Sequence, residues 1–430
     1  MNETPLIQQN HYLKWSLLSA LCGVLAGVAA SIFLILLDWA TKARDQYPVI
    51  IWALPLAGFF IGWVYHHYGR DVAPGQNLIL DEIHDPKKTV PMKMAPFILL
   101  GTVITHLFGG SAGREGTAVQ MGASLSDQLT IVFKIEPDER KILLVAGAGA
   151  GFGAAIGAPW AGVVFGMEVI NIGRLRLFAW FECLVASFVG YFTTLALGAP
   201  HSIYPQFKIP DFDFKTLGLV IFAGILFGIS SKLFTILTHA IERLNSKLIS
   251  YPPIKPFLAG LILVGLYYFE GSYRYAGLGI QYIQEALHVP AHFRDPALKG
   301  FFTALTVGSG FKGGEFIPLV FIGTTLGSAL SLFIPVSFQL LGAVGFAALF
   351  AGAANTPIAC TLMAMEIFGY KIGPYALAAS FASYYFSGHH GIYKSQKIHM
   401  RKHKKLILIL SWFGELPRRF INGNGNNGGN

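Results

Sequence analysis

The chain has 430 residues, of which 53% are hydrophobic and only 13% charged, with a net charge of +9. The charged fraction is about half that of a typical soluble domain, so the composition excludes an ordinary water-soluble enzyme and predicts an all-α polytopic membrane protein. The apolar runs are continuous or helical in period, which also excludes the two-residue alternation of a membrane β-barrel.

The first predicted element is a membrane span that follows a polar leader, residues 1–12. Residues 17–37 are apolar and long enough to cross a bilayer as a helix. Ala29-Ala30-Ser31 loosely resembles a signal-peptide cleavage site, but the apolar run continues past it, so we interpret the segment as uncleaved. Similar runs recur further along the chain, at residues 49–65 and 217–236 and, too short for a full crossing, at 257–269.

Three segments between the apolar runs are interrupted by glycine or proline. They are PGQNLILDEIH (74–84), GGSAGREGT (109–117) and GFKGGEFIP (310–318). Irregular backbone at membrane depth must be covered by protein or line a water-filled cavity. A helix that starts there directs free N–H groups and its positive dipole end into the cavity, which predicts an anionic ligand. The glycine spacing fits neither a P-loop nor a dinucleotide-binding turn.

Four carboxylates lie in apolar surroundings: Glu115, Glu168, Glu315 and Glu366. An ionisable residue inside a membrane is a candidate functional group by default. At a helix start, the Glu115 carboxylate would compete with an anionic ligand and leave when protonated, so we expect a gate and proton carrier. Glu168 and Glu366 occupy equivalent repeat positions, so a capping or pairing role is at least as well supported for them. Arg114 is expected to pair with a carboxylate or to face a wet vestibule.

The chain also repeats itself after about 200 residues. The matched positions are Gly23 and Gly224, Gly27 and Gly228, Gly113 and Gly314, Pro159 and Pro357, and Glu168 and Glu366. Single Gly-xxx-Gly pairs are common helix-packing motifs, but several matches in the same order indicate two homologous halves, residues 13–200 and 201–395. Repeats of this kind place the substrate site at the interface between the halves.

The last segment, residues 396–430, is a basic tail. Eight lysines and arginines fall between residues 394 and 419 against one acid, Glu415, so the positive-inside rule predicts a cytoplasmic tail. Its glycine- and asparagine-rich end is expected to be disordered. The widely spaced Cys22, Cys183 and Cys360 are expected to be buried thiols. We expect no cofactor, no metal site and no nucleic-acid partner.

Taken in order, these motifs resemble those of the CLC chloride channel and transporter family. GREGT (113–117) is similar to the family's GREGP segment, GGEFIP (313–318) to its GxFxP segment and GIYKS (391–395) to the region of its pore tyrosine, while PGQNLI (74–79) stands where the family has GSGIP. The resemblance implies an inverted-repeat fold with many tilted and broken helices. It also implies a homodimer in the cell membrane, with one pore in each subunit.

The same resemblance implies roles for individual residues. Glu115 corresponds to the gating glutamate and Tyr393 to the pore tyrosine. The positions implied to bind the anion are Asn77, Gly116, Thr117, Phe316, Ile317 and Tyr393. Phe316 and Ile317 would act through their backbone N–H groups. The sequence leaves open whether Asn77 or its neighbour Gln76 lines the pore.

Three departures from the chloride-type motifs resemble the family's fluoride/proton antiporter branch. Thr117 replaces proline, Asn77 replaces serine, and Glu315 replaces an apolar residue. The Asn77 amide offers two N–H donors where serine offers one O–H, which suits a small anion that accepts strong hydrogen bonds. Glu315 is expected to be a second proton-transfer or selectivity group; alternatively it stays protonated or points away from the pore.

We therefore expect a transporter that exports fluoride in exchange for protons. A passive chloride channel and a chloride/proton exchanger of the same family remain alternatives. Val169 stands where such exchangers carry an internal proton-transfer glutamate, and chloride channels also lack that acid. A membrane-embedded enzyme that uses Glu115 and His106 as an acid/base pair is a further alternative, although no nucleophile or metal cluster accompanies them.

Overall fold

The computed structural model describes residues 5–402, so most of the predicted basic tail, including its glycine-rich end, lies outside the described residues. The described chain is mostly helical. Its first half comprises α1 (Pro5–Gln46), α2 (Leu54–Tyr68), α3 (Gln76–His84), α4 (Met94–Leu107), α5 (Glu115–Phe133), α6 (Pro137–Ile156), α7 (Pro159–Glu168) and α8 (Trp180–Ala196). The second half comprises α9 (Phe214–Leu248), α10 (Ile254–Glu270), α11 (Ile280–Ala286), α12 (Arg294–Gly308), α13 (Phe316–Leu330), α14 (Phe338–Ala354), α15 (Pro357–Phe368) and α16 (Gly373–Phe386).

Each helix of the first half has a counterpart eight helices later. α5 packs against α6 as α13 packs against α14, and α1 packs against α8 as α9 packs against α16. α2 and α10, which are counterparts, pack against each other. The repeat predicted from the glycine and glutamate spacing is therefore confirmed in the helix packing.

Two short parallel strands complete the described elements. β1 (Asn171–Ile172) follows α7, and β2 (Lys397–Ile398) lies near the start of the basic tail. Asn171 pairs with Lys397 and Ile172 with Ile398. This pairing fixes the beginning of the tail against the first half of the molecule.

The long helices have the length and surface expected of membrane spans. Three apolar stretches are long enough to cross a bilayer, Tyr12–Gln46, Pro48–Tyr68 and Phe214–Leu248, and they contain the three full-length spans predicted from the sequence. Along α1, large apolar side chains recur at helical spacing on the exposed face: Leu17, Leu21, Val24, Val28, Ile32, Ile35 and Trp39. Such a stripe suits contact with lipid.

The first helix begins earlier than the sequence indicated. α1 starts at Pro5, so it takes in most of the segment predicted as a polar leader. No glycine or proline interrupts the chain between Pro5 and Gly23, so nothing in the local sequence stops the helix from extending back to Pro5. The predicted short crossing at 257–269 lies in α10, which has 17 residues.

Glu168 and Glu366 cap each other's helices across the two halves. The Glu168 carboxylate accepts hydrogen bonds from the N–H groups of Ile358 and Ala359 at the start of α15, at 3.1 and 2.8 Å. The Glu366 carboxylate accepts from Trp160 and Ala161 at the start of α7, both at 2.9 Å. These contacts satisfy N–H groups that a helix start leaves without partners, and the charge suits the positive dipole end. The predicted capping role is confirmed, and the reciprocal pattern shows that α7 and α15 run antiparallel.

A buried ion cluster joins α3, α5 and α6. Arg140 Nε and Nη2 donate to the two carboxylate oxygens of Asp127 at 2.7 and 2.8 Å, and Arg140 Nη1 donates to Glu82 at 2.8 Å. Asp127 also accepts from the Val90 N–H at 2.6 Å. Because Glu82 belongs to α3, the cluster sets the orientation of that short helix. The sequence analysis did not identify these residues.

Replacing either capping glutamate by alanine should destabilise the protein. Each change removes charge-assisted hydrogen bonds to two helix-start N–H groups, which predicts a loss of about 2 to 4 kcal/mol in the free energy of unfolding. Glu168→Ala should cost more than Glu366→Ala because Glu168 is the more deeply buried of the two. Thermal unfolding in detergent measures both variants. Asp211→Ala, which alters a side chain that is 99% exposed, is the control; equal melting temperatures for all three variants would contradict the capping role.

Candidate functional site

The starts of α5 and α13 meet between the two halves. Gly113 and Gly314, which precede these helices, form an antiparallel bridge. The Gly113 N–H donates to the Gly314 oxygen at 2.5 Å, and the Gly314 N–H donates to the Gly113 oxygen at 2.8 Å. The backbones approach so closely that a Cβ atom on Gly314 would lie 2.9 Å from the Gly116 nitrogen. The bridge therefore explains why both motifs carry glycine at this point.

The geometry at these helix starts fits an anion. The first N–H groups of a helix have no acceptor within it, and in α13 they belong to Phe316 and Ile317. Both side chains are buried, and the Phe316 ring packs edge-on against Phe350 with centroids 4.6 Å apart. Neither residue is among those that line the cavity described below, so the backbone role expected of them stays a prediction. The positive dipole ends of both helices add to the field there.

Glu115 lies at the start of α5 with its side chain only 1% exposed. Its carboxylate folds back onto its own helix start, where Oε2 accepts from the Arg114 N–H at 3.3 Å and Oε1 accepts from Arg114 Nε at 3.2 Å. Arg114 Nη2 donates in turn to Ser202 Oγ at 3.1 Å. The prediction that Arg114 pairs with a carboxylate is confirmed. The Glu115 carboxylate thus occupies the Arg114 backbone donor at the start of its own helix.

A cavity of about 330 Å³ reaches the bridge from one side. Several predicted site residues line it: Asn77, Gly116, Glu315 and Tyr393. Tyr393 is buried, at 8% exposure. The fold thus brings together residues that are separated by more than three hundred positions in the sequence.

Gln76 and Asn77 both line this cavity, at the start of α3. Gln76 Nε2 donates to the Gly116 oxygen at 3.3 Å. Asn77 Oδ1 accepts from the Ser395 N–H at 3.1 Å, close to Tyr393 in the chain. This contact orients the Asn77 amide, and no hydrogen bond from its nitrogen is found within residues 5–402. Both residues therefore line the cavity, and the choice between them as the pore-lining residue stays a prediction.

Glu315 and Lys312 bring opposite charges into the same cavity. The Lys312 ammonium lies 4.0 Å from the centre of the Tyr65 ring, a cation–π contact. At the cavity wall nearer solvent, Glu242 and Lys394 form an ion pair at 2.5 Å with both side chains about half exposed. The sequence analysis did not identify Lys312. In the sequence, Lys312 is recognisable as the one lysine in a glycine-rich turn, three residues before Glu315.

Two other residues considered from the sequence have partners elsewhere. The Thr117 N–H donates to the Arg114 oxygen at 3.1 Å, and its hydroxyl pairs with that of Thr102 at 2.7 Å, so its donors do not face the cavity. Both ring nitrogens of His106 face carbonyl oxygens at 2.8 and 3.0 Å. Among the described residues, no hydrogen bond joins His106 to Glu115, so the acid/base pair of the enzyme alternative is not assembled.

Val169 lies beside the pathway in an apolar environment. It lines a small pocket together with Phe165 and Tyr393. Its carbonyl accepts a hydrogen bond from Gln396 Nε2 at 2.8 Å. The pocket next to Val169 is therefore apolar, and Val169 itself carries no ionisable group.

Comparisons with known proteins identify similar chains. A family model described as voltage gated chloride channel matches residues 57–388. The chain is 46% identical over 398 residues to the chloride/fluoride channel protein of Pseudomonas syringae pv. tomato, which covers 91% of this chain and 88% of that protein. It is 25% identical over 394 residues to the H(+)/Cl(-) exchange transporter ClcA of Vibrio vulnificus, with 81% of each chain covered.

Solved structures show the same architecture. A crystal structure of a CLC-type fluoride/proton antiporter superposes with a TM-score of 0.88 at 30% sequence identity, covering 92% of this chain and 100% of that one. A slow cyanobacterial Cl−/H+ antiporter, at 20% identity, shares the fold with a TM-score of 0.77, covering 93% of this chain and 98% of that one. The predicted helical, inverted-repeat fold is confirmed.

Substitution of Gly314 by alanine should damage the bridge. The added methyl group would press on the α5 backbone, which predicts a cost of about 1 to 3 kcal/mol and a lower rate of anion transport. Anion efflux from liposomes and thermal unfolding in detergent measure the two effects. Gly265→Ala is the matched control, because a Cβ atom there meets no atom within 4 Å. Equal behaviour of the two variants would show that close approach at the bridge is unimportant.

Proposed function

The chain belongs to the voltage-gated chloride channel family, and from this premise we propose that it is a secondary transporter, not an enzyme, that exports fluoride in exchange for protons. The names of two similar proteins, a chloride/fluoride channel protein and a fluoride/proton antiporter, support this choice of anion. The observation that carries the proposal is the presence of a carboxylate at each of two facing helix starts, Glu115 on α5 and Glu315 on α13.

In the proposed cycle, Glu115 alternates between two states. When ionised, its carboxylate occupies the helix-start donor and excludes the anion. When protonated, it has less affinity for that donor and for the Arg114 guanidinium, so it leaves and a fluoride ion binds in its place. Binding of the anion and carriage of the proton are therefore linked through one site, which is the requirement for exchange.

Fluoride fits the proposed donors because it is small and accepts strong hydrogen bonds. Stripping water from a small anion is costly unless the site supplies comparable donors. The donors proposed here are the N–H groups of Phe316, Ile317 and Gly116, the Asn77 amide and the Tyr393 phenol. The Lys312 ammonium adds a positive charge on the same cavity.

The proton route that we propose enters through the cavity. The wall next to Val169 is apolar, whereas Glu315 lines the cavity that also reaches the half-exposed pair of Glu242 and Lys394. Glu315 and Tyr393 both line this cavity, next to the bridge at the start of the helix that carries Glu115. Protons would thus pass from solvent to Glu315 and on to Glu115.

The proposal includes the assembly and its orientation. The protein is an integral membrane protein, and we propose a homodimer in the cell membrane with one pathway in each subunit. Lys14, in the N-terminal part of α1, forms an ion pair with Glu139, near the start of α6, at 3.3 Å. These two parts of the chain therefore lie on the same side of the protein. The lysines and arginines between residues 394 and 419 support a cytoplasmic location for the C-terminal tail. Export would protect the cell, because hydrogen fluoride crosses bilayers as a neutral weak acid and dissociates inside.

The Glu115→Gln variant tests the function. Glutamine keeps the size of the side chain but carries no exchangeable charge, so fluoride efflux should no longer drive proton movement. Proton transfer by a positioned side chain is worth about 100-fold or more, so coupled proton uptake should fall by at least that factor. Efflux from liposomes loaded with fluoride or chloride is recorded with ion-selective and pH electrodes.

The wild type and a control variant complete this experiment. Glu285→Gln, at a carboxylate with 51% exposure on α11, should leave coupling unchanged. Wild-type chloride efflux as fast as fluoride efflux, without proton movement, would identify a passive chloride channel instead. Coupled chloride and proton movement without a preference for fluoride would identify a chloride/proton exchanger.

The Glu315→Gln variant separates the second carboxylate from the first. If Glu315 relays protons, proton uptake should fall by about 100-fold while fluoride binding, measured by calorimetry, is retained. Glu285→Gln, the exposed carboxylate used as the control above, should keep the coupling. Intact coupling in Glu315→Gln would mean that this residue only shapes the anion site.

A further inference from the structure

A second, larger cavity lies away from the anion pathway. It has a volume of about 940 Å³ and is bounded by the end of α3, the start of α6, the loop 173–179 and β2. Four cationic side chains line it, Lys141, Arg174, Arg176 and Lys397, against one carboxylate, Asp138. Asp138 forms an ion pair with Lys141 at 3.5 Å, which offsets the charge of that lysine. The charges of Arg174, Arg176 and Lys397 therefore make the electrostatic potential in the cavity positive.

The cavity also contains buried polar atoms whose hydrogen-bonding capacity is unused. Asn171 is 5% exposed, and its amide nitrogen has no hydrogen-bond partner among the described residues. His84 Nε2 is likewise buried and without a partner within residues 5–402. Arg174 Nη1 contacts His399 Nε2 at 3.2 Å, a ring that carries no negative charge. A buried donor without an acceptor is costly, so the cationic groups and the free Asn171 amide together call for an anionic ligand with several acceptor oxygens.

Apolar side chains stand beside these charges. Leu177, Phe178 and Trp180 follow Arg176 in the chain and are 59%, 39% and 57% exposed. Aromatic side chains next to arginine are typical of the zone where lipid headgroups meet the hydrocarbon region. The same face carries the start of α6, which pairs with α1 through Lys14 and Glu139. An acyl chain attached to a charged group in the cavity would thus lie along these apolar side chains.

We propose that this cavity binds a phosphate group, and that its source is the headgroup of an anionic phospholipid. The arginines supply planar paired donors that match phosphate oxygens, and the Asn171 amide supplies a further donor. Basic pockets between membrane helices are suited to such headgroups. The inference is independent of which anion the protein transports, since it uses none of the residues of the anion pathway.

Native mass spectrometry of the purified full-length protein tests the proposal. Wild type and the Arg174→Gln/Arg176→Gln double variant are incubated with phosphatidylglycerol or with phosphatidylcholine. Each cationic side chain near an anionic lipid contributes a factor of about 5, so the double variant should bind phosphatidylglycerol about 30-fold less tightly. Phosphatidylcholine binding should not change. Lys208→Gln/Lys371→Gln, which removes the same charge outside the cavity, is the matched control.

A second arm distinguishes lipid from soluble phosphate. Calorimetric titration with inorganic phosphate should give no saturable binding if the headgroup is the ligand. Saturable phosphate binding that is lost in the double variant, without any preference for phosphatidylglycerol, would assign the same site to a soluble phosphate. Equal phosphatidylglycerol binding by wild type and double variant would overturn the proposal. Lys397→Gln on the exposed strand β2 provides a second test if the double variant does not yield folded protein.

Discussion

The structure depends on one requirement, which is that polar backbone groups inside a membrane must find partners within the protein. Helices meet this requirement alone, but the chain breaks its helices where α5 and α13 begin. The bridge between Gly113 and Gly314 supplies partners to the irregular backbone of one half from that of the other. With those groups satisfied, the helix starts beyond the bridge can keep N–H groups free for a ligand. The site is thus a product of the pairing between the halves.

The buried cluster of Arg140, Asp127 and Glu82 also stabilises the cavity beside the bridge. α3 has only nine residues and presents Gln76 and Asn77 to the cavity at its first turn. At its last turn Glu82 is held by Arg140, which is also bound to Asp127 on α5. The same helix α5 begins with Glu115. The buried ion pairs of Arg140 therefore fix α3 and α5 relative to each other, although these charges lie away from the cavity.

Much of this arrangement was predictable because it depends on residue types that recur at fixed spacing along the sequence. The repeated glycines and glutamates gave the two halves, and glycine-rich turns before apolar runs gave the helix starts. The Arg140 cluster was not predictable, since its members come from three separate segments with no period or motif in common. The direction of Thr117 likewise depends on Thr102, a contact made by tertiary packing. The sequence similarity that placed Thr117 at the site carries no information about where its hydroxyl points.

The exchange of caps between α7 and α15 has a consequence for how the chain is made. Trp160 donates its N–H to Glu366, a residue 206 positions further along. During synthesis the first half enters the membrane long before that carboxylate exists, with the start of α7 exposed and polar. Its final burial must therefore wait for the second half. The start of α7 therefore gains its cap only after the second half of the chain has been made.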